Sequence, residues 1–394
     1  MAHEIDTILS TLKLEVDPEL SQLFDDFEDL YERKLWHQLT EKLTTFFYDD
    51  RSKSFRLRLY NQFVNKFLDK INQLSAVDFL LQSLPENENI EESLQYLQDL
   101  QQEFKKIDEK KQRNDGLKPH VDGNLLLDIE IARVKLAEGD LVEVRDKLDA
   151  IGKILEVQDS VPLRVTGAFY SCNASYYQVK KDFNNFYYTS LLYLSTISSD
   201  EQNHRLTKLE QQQLAYNLCI AALLGDHIYN FGELLNHPII SSISGDKEYE
   251  WLFRFLNALT EGDFHKFDEI SKERIPRVPT LAQHESFLRQ KICLMTLVES
   301  VFAKSIRTLS FQDIADATFL PIDSVEHLVM RSISLGLLKG SIDQVQQLVT
   351  ITWVQPRIIN QEQIKKMKDN LVKWQDEVTK LAGKIENRGK SIWV

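Results

Sequence analysis

The sequence is poor in the residues that break helices. Its 394 residues include only 13 glycines and 9 prolines. A fold made of many short strands needs frequent turns, and turns depend on these two residues. Their scarcity argues against a strand-rich fold and favours long helices.

Cysteine and long apolar runs are also scarce. Cys172, Cys219 and Cys293 are far apart and odd in number, which disfavours a disulfide framework and indicates a reducing compartment. The most apolar run, at 218–224, is too short to cross a bilayer. The N-terminal decapeptide lacks the apolar core of a signal peptide. We therefore expect the protein in the cytoplasm and nucleus.

Positive charge is in deficit. The formal net charge is -13 and the sequence pI is about 5.3. Proteins that bind nucleic acid gain much of their affinity by neutralising phosphates with Lys and Arg. The acidic balance therefore disfavours that class, although a local basic patch could still serve it.

What the chain does have is helical periodicity, which predicts a helical-repeat domain over residues 1–265. Four segments place an aspartate at the same point, 42, 44 and 37 residues apart: Asp140, Asp182, Asp226 and Asp263. Glycine precedes three of them, and Lys181 precedes Asp182. Such a glycine ends one helix in the left-handed conformation, and the aspartate caps the next. A period near forty predicts a right-handed solenoid of paired helices, similar to tetratricopeptide repeats. The alternative is ordinary helical hairpins with common caps.

One segment interrupts this pattern. Residues 107–124 are charged, contain two glycines and a proline, and lack apolar periodicity. We predict an exposed loop at about 108–124.

A second domain is predicted over residues 266–355, where a long helix leads into a winged helix at about 306–355. Ser310 begins a short helix, Pro321 ends it, a second helix follows, and two strands complete the unit. Its predicted core residues are Val325, Leu328, Val329, Ile333, Leu337, Ile351 and Trp353.

Many winged helices bind DNA through their second helix, but this one lacks the necessary charge. From residue 322 to 339 its charged side chains are Asp323, Glu326, Arg331 and Lys339, which sum to zero, and the wing SIDQVQQ has no Lys or Arg. We therefore expect this module to contact protein rather than nucleic acid.

The segment at 360–390 carries an unbroken apolar heptad pattern. Its members step alternately by 3 and 4 residues: Ile364, Met367, Leu371, Trp374, Val378, Leu381 and Ile385. A helix with this spacing buries its stripe against other helices. The stripe could pack on the chain's own domain, but we favour helices of partner chains.

Patterns for catalysis or cofactor binding are missing from the sequence. The nine histidines are not spaced as local metal pairs, and no Cys-x-x-Cys, Gly-x-Ser-x-Gly or Gly-x-Gly-x-x-Gly occurs. We expect neither an enzyme nor a cofactor, although a site assembled from distant residues would escape such a search.

Helical repeats that lead into a winged helix resemble the PCI-domain family, which occurs in the proteasome lid, the COP9 signalosome and translation initiation factor three. The segments LAQHESFLRQKICLMTL and EHLVMRSISLGLLKGSIDQV are similar to PCI subunits of the 26S proteasome regulatory particle lid. The resemblance spans essentially the whole chain and implies a PCI domain at about 175–350.

The resemblance implies a mainly α, non-catalytic scaffold for ubiquitin-dependent proteolysis. Its winged helix would pack beside those of other lid subunits, and its last helix would join a bundle between subunits. The alternatives are a subunit of another PCI complex, a winged-helix nucleic-acid binder and an unrecognised enzyme.

Overall fold

A computed structural model describes residues 9–14, 18–84, 90–115, 120–158, 160–199, 207–244, 249–303, 308–355 and 361–389. The chain divides into two compact units, Met1–Arg205 and Leu206–Val394. Within the described ranges, both units are mainly helical, and the one sheet belongs to the second unit. None of the helices in these ranges has the length and apolar character needed to cross a membrane.

The first unit is a succession of helices that pack on their neighbours in sequence. They are α1 (Pro18–Glu32), α2 (Trp36–Tyr48), α3 (Lys53–Gln62), α4 (Gln73–Ser83), α5 (Ile90–Asp115), α6 (Val121–Glu138), α7 (Leu141–Val157), α8 (Leu163–Lys180) and α9 (Phe183–Ser199). Helix α6 contacts α5, α7 and α8, so each helical pair covers part of the next. This stacking confirms the predicted class of a helical-repeat solenoid.

Three of the four predicted aspartate caps form. Asp140, Asp182 and Asp263 each accept backbone N–H bonds at the start of a helix. The residue before each lies in the left-handed region, with φ of 94° at Gly139, 61° at Lys181 and 68° at Gly262. Glycine is required most strictly at 262, because an added Cβ there would lie 2.9 Å from the backbone of Thr296.

The loop predicted at about 108–124 is wrong over 108–115 and 121–124, and residues 116–119 lie outside the described ranges. Helix α5 continues to Asp115, and α6 begins at Val121. The buried His120 ring stacks on Phe104 and contacts the Asp108 carboxylate at 2.5 Å, which fixes the start of α6. Lys, Glu, Arg and Gln have high helix propensity, so a charged segment without an apolar stripe can remain helical.

The second unit begins with α-helices and then contains the sheet. Its elements are α10 (Lys208–Leu224), α11 (Gly232–Leu235), α12 (Ser241–Ser244), α13 (Glu250–Glu261), α14 (Phe264–Arg274), α15 (Pro279–Ala282), α16 (Glu285–Ala303), β1 (Thr308–Ser310), α17 (Phe311–Thr318), α18 (Ile322–Ser334), β2 (Leu338–Asp343), β3 (Leu348–Val354) and α19 (Gln361–Gly389). This order of a short strand, two helices and a hairpin is that of a winged helix.

A buried lysine joins α10 to α16. Lys291 is 1% exposed, and its Nζ donates to the carbonyl oxygens of Ala222 at 2.8 Å, Leu223 at 3.1 Å and Gly225 at 2.8 Å. Carbonyl groups in the last turn of a helix have no partner within the helix, so Lys291 satisfies the end of α10.

Aromatic rings surround the same ammonium group. The centroids of Tyr229, Phe231 and Phe287 lie 5.4, 5.2 and 5.6 Å from Nζ. Burial lowers the pKa of Lys291 to about 7, and the Asp226 carboxylate opposes this shift. Three carbonyl acceptors require three N–H donors, which only the charged ammonium supplies.

Lys291 also accounts for the aspartate cap that does not form. Gly225 adopts an extended conformation with φ of -68° and ψ of 129°, and Asp226 enters a turn with no long helix after it. The carbonyl oxygens at this helix end bond to Lys291 rather than to a left-handed turn. The prediction of a fourth equivalent turn at Asp226 is therefore wrong.

The sheet of the winged helix has the order β1-β3-β2, and both pairs are antiparallel. A β-bulge shifts the register between Lys339 and Gly340, which pair with Trp353 and Ile351. Thr352 is thus the extra residue of β3. Glycine is needed at 340, because an added Cβ would lie 2.3 Å from the carbonyl oxygen of Thr350.

The bulge makes the predicted core position of Trp353 wrong. Strand alternation would place Trp353 on the buried face with Val349 and Ile351. The extra residue reverses the alternation, and the Trp353 side chain is 42% exposed. The Lys339 ammonium group instead lies over the Trp353 ring, 5.0 Å from the ring centroid.

Lys291→Met should destabilise the second unit. It leaves three helix-end carbonyl groups without donors, so we expect the free energy of unfolding to fall by about 3 kcal/mol. Urea unfolding, with hydrogen exchange measured on α10 and α16 peptides, provides the measurement. Lys272→Met is the matched control, because that side chain is 72% exposed and its loss should change little. A loss below about 1 kcal/mol for Lys291→Met would contradict the assigned role.

Gly340→Ala should loosen the β2–β3 hairpin. The added methyl group collides with the Thr350 carbonyl, so the strands must separate or the bulge must move, at about 1–3 kcal/mol. Faster amide exchange across residues 338–354 would report this change. Gly383→Ala is the control, since nothing lies within 4 Å of an added Cβ in α19. If amide exchange were unchanged in the Gly340→Ala variant, the close approach of Gly340 to the Thr350 carbonyl would not constrain the hairpin.

Candidate protein-interaction surface

The predicted core of the winged helix lies mostly inside. Val325, Leu328, Val329, Leu337 and Ile351 are buried. Ile333 is only half-buried, because the inner face of α18 passes through Val325, Val329 and Ser332, and Ile333 lies at its margin. Core members absent from the predicted set are Leu309, Phe311, Ile314, Leu338 and Val349. Their apolar character was visible in the sequence, but the pairing of β1 with β3 was needed to bring them together.

The start of the winged helix is held by reciprocal hydrogen bonds. The Ser310 hydroxyl accepts the N–H of Asp313 at 3.1 Å, and the Asp313 carboxylate accepts the N–H of Ser310 at 3.3 Å. This capping box confirms Ser310 as the predicted N-cap of α17. The second helix, α18, has Pro321 as its N-cap and no side-chain cap. Pro321 fixes the entry to α18 through its restricted φ instead.

The outer face of α18 is apolar and acidic. Ile322 and Met330 are exposed large apolar side chains two turns apart. Between them lies Glu326, whose carboxylate accepts a bond from the Gln344 amide of the wing at 3.1 Å. Asp323 is in the first turn, and Arg331 is the one basic residue in the last turn. With one arginine against two carboxylates, α18 lacks the excess of basic residues that phosphate contacts require.

The wing is similarly unsuited to phosphate contact. Its turn is held by the Asp343 carboxylate, which accepts the N–H groups of Val345 and Gln346 at 3.1 Å each. Val345 is the most exposed large apolar residue of the described chain. Lys339, at the base of the hairpin, lies over Trp353. An apolar tip on a rigid turn is typical of protein contact.

Helix α19 presents its whole heptad stripe to solvent. The seven predicted residues, Ile364, Met367, Leu371, Trp374, Val378, Leu381 and Ile385, are 46–65% exposed. The flanking Val372 is exposed as well, which the strict heptad pattern did not include. Scattered exposed apolar side chains are ordinary, but a contiguous row along a helix marks an interaction surface.

The three cysteine thiols of the chain are buried. Burial raises the pKa of Cys172 to about 11 and of Cys219 to about 12, so their nucleophilic thiolate forms are strongly disfavoured. Burial also raises the pKa of Cys293. Within the described ranges, no group of three or more His, Cys, Asp or Glu residues is placed to hold a metal ion.

Three family models match successive parts of the chain. A model of the PSD13 N-terminal repeats matches residues 23–256, a PCI domain model matches 263–353, and a model of the Rpn9 C-terminal helix matches 357–389. The solenoid, the winged helix with its preceding helices, and α19 thus each correspond to a known element.

Full-length relatives agree with these matches. The 26S proteasome regulatory subunit RPN9 of Saccharomyces cerevisiae is 63% identical over 100% of this chain and 99% of its own length. The 26S proteasome non-ATPase regulatory subunit 13 homolog B of Arabidopsis thaliana is 34% identical over 92% of each chain. Translation initiation factor 3 subunit M of Nematostella vectensis is 24% identical over only 44% of each chain. The resemblance to PCI subunits of the proteasome is thereby confirmed, and the chain belongs to the Rpn9 family of 26S proteasome regulatory subunits, called subunit 13 in other relatives.

Proposed function

We propose that this protein is a non-catalytic scaffold subunit of the 26S proteasome lid and acts in ubiquitin-dependent protein degradation. Its winged helix packs against neighbouring PCI subunits, and α19 joins a helical bundle formed between subunits. The observation that carries the proposal is the exposed heptad of α19. The protein acts in the cytoplasm and nucleus, and it needs no cofactor.

The size of the exposed stripe supports an obligatory partner. Burying one large apolar side chain contributes about 1.5–3 kcal/mol. The seven heptad residues therefore offer about 10–20 kcal/mol before the entropy of ordering is subtracted. Free energy of that size is realised only when other helices cover the stripe.

The apolar face is wider than a two-stranded coiled coil needs. Leu371 and Val378 lie at one heptad position, and Met367, Trp374 and Leu381 lie at the other. Val372 extends the face sideways. A helix with apolar side chains beyond the two seam positions packs against more than one neighbour, which supports a bundle.

Membership of another PCI complex is the closest alternative. The initiation-factor relatives cover less than half of this chain, whereas the RPN9 relative covers all of it. This difference in coverage favours membership of the proteasome over membership of the initiation factor. A tagged chain purified from cells, followed by mass spectrometry, distinguishes the two partner sets.

Substituting Leu371 and Trp374 with aspartate should abolish incorporation into the lid. Two buried carboxylates in a helical bundle are strongly unfavourable, while the exposed helix of the free chain tolerates them. Co-purification with tagged lid subunits measures the effect, and circular dichroism checks the fold of the free variant. Lys373→Asp combined with Thr379→Asp is the matched control, because both residues lie outside the heptad and also introduce two carboxylates. Normal incorporation of the Leu371/Trp374 variant would refute the proposed role of α19.

The winged helix should not bind nucleic acid. Its second helix has no net charge over residues 322–339 and its wing lacks Lys and Arg, so the counterion-release contribution is missing. Fluorescence anisotropy with labelled duplex DNA and single-stranded RNA, at physiological salt and micromolar protein, should show no saturable binding. Salt-dependent binding at micromolar affinity, lost in Arg331→Ala, would instead establish a nucleic-acid function.

A further inference from the structure

A small cleft in the first unit brings together residues that are distant in sequence. Its volume is about 240 Å³, and it opens between α3 with the turn after it and α5. Tyr60, Asn61 and Asn65 line one side, and Tyr96, Asp99 and Glu103 line the other. With Gln102 and Lys106, which also line it, the cleft combines two aromatic rings, two carboxylates, three side-chain amides and one ammonium group.

Helical spacing places the acidic side of the cleft on one face of α5. Tyr96, Asp99 and Glu103 are separated by three and four residues, so their side chains lie one above the other. Among the described residues, no Lys, Arg or His lies within ion-pair distance of the Asp99 or Glu103 carboxylate. Two like charges one turn apart repel each other, and a cation between them would relieve this repulsion.

A buried hydroxyl group on the opposite wall also lacks a partner. Tyr60 is 4% exposed, and its hydroxyl oxygen makes no hydrogen bond in the described structure. Burial, and to a lesser extent the Glu103 carboxylate, raise the pKa of Tyr60, so the hydroxyl stays protonated. A buried polar group without a partner is unfavourable and is usually found where a ligand or water completes it.

From this arrangement we infer that the cleft is a recognition pocket for an arginine side chain of a partner protein. A guanidinium group is planar, always charged and carries five N–H donors, which match the two carboxylates and the amide oxygens. Its flat face can stack on the half-buried ring of Tyr96. The walls thus provide acceptors at the edges of the guanidinium and aromatic surface on its faces.

The same features disfavour smaller occupants. A divalent metal ion requires several oxygen ligands at 2.0–2.6 Å and gains nothing from tyrosine rings. An ammonium group has three donors and no planar face, so it would leave part of this acceptor set unused. Lys106 lines the cleft and is exposed, and in this structure it pairs with neither carboxylate.

Titration of the full-length chain, with tyrosine rings labelled with ¹³C, tests the inference. The probe is N-acetyl-arginine methylamide, and the expected result is a saturable shift of the Tyr60 and Tyr96 ring signals. N-acetyl-citrulline methylamide has nearly the same shape without charge and should bind at least about tenfold more weakly. The affinity of the corresponding lysine analogue should lie between those of the arginine and citrulline probes. Equal responses to arginine and citrulline, or a linear response up to the solubility limit, would overturn the proposal.

Conservative variants locate the response in the cleft. Glu103→Gln and Asp99→Asn should each weaken arginine binding about tenfold, since each removes one charged acceptor. Glu91→Gln lies in the first turn of the same helix, outside the cleft, and should leave binding unchanged. Thermal unfolding of each variant checks that the fold is retained. If folded Glu103→Gln and Asp99→Asn bound the arginine probe with wild-type affinity, the probe would bind outside the cleft and the proposal would be overturned. The outcome is independent of the α19 experiment, because no residue of α19 lines the cleft.

Discussion

The hydrogen bonds of Lys291 are the constraint on which the second unit depends. One ammonium group closes the end of α10, through the carbonyl oxygens of Ala222, Leu223 and Gly225, and joins it to α16. Helix α16 leads to β1 and the winged helix, and it also contacts α13, α14 and α17. A buried charge is tolerated only when its donors are all satisfied, and here three carbonyls and three aromatic rings meet that condition.

Patterns that repeat along one element were predictable from the sequence. The heptad of α19, the cap at Ser310 and the aspartates at 140, 182 and 263 depend on spacing within one helix or turn, which a sequence displays directly. The overall fold class was also predictable, because successive helices joined by tight turns can bury their apolar faces in only a few ways.

Features that depend on two distant segments were not predictable. The bulge that exposes Trp353 arises where β2 meets β3, and periodicity within β3 alone gives the opposite face. The turn at Asp226 differs because Lys291 approaches from 65 residues further along the chain. The helical course of residues 108–115 lacks an apolar stripe, so its helix propensity was the one local indication. The acidic cleft likewise joins α3 to α5, whose cleft residues are separated by some thirty residues or more.

The position of β2 in the sheet affects how the free chain behaves in solution. Among the residues that the structure describes, the order β1-β3-β2 leaves one side of β2 without a neighbouring strand, and an exposed strand edge can template uncontrolled pairing between chains. Two features oppose such pairing: the extra residue Thr352 of β3 makes the ladder between β2 and β3 irregular, and Lys339 places a charge on β2. The irregularity that displaces Trp353 from the core therefore also opposes pairing of this edge with the sheet of another chain.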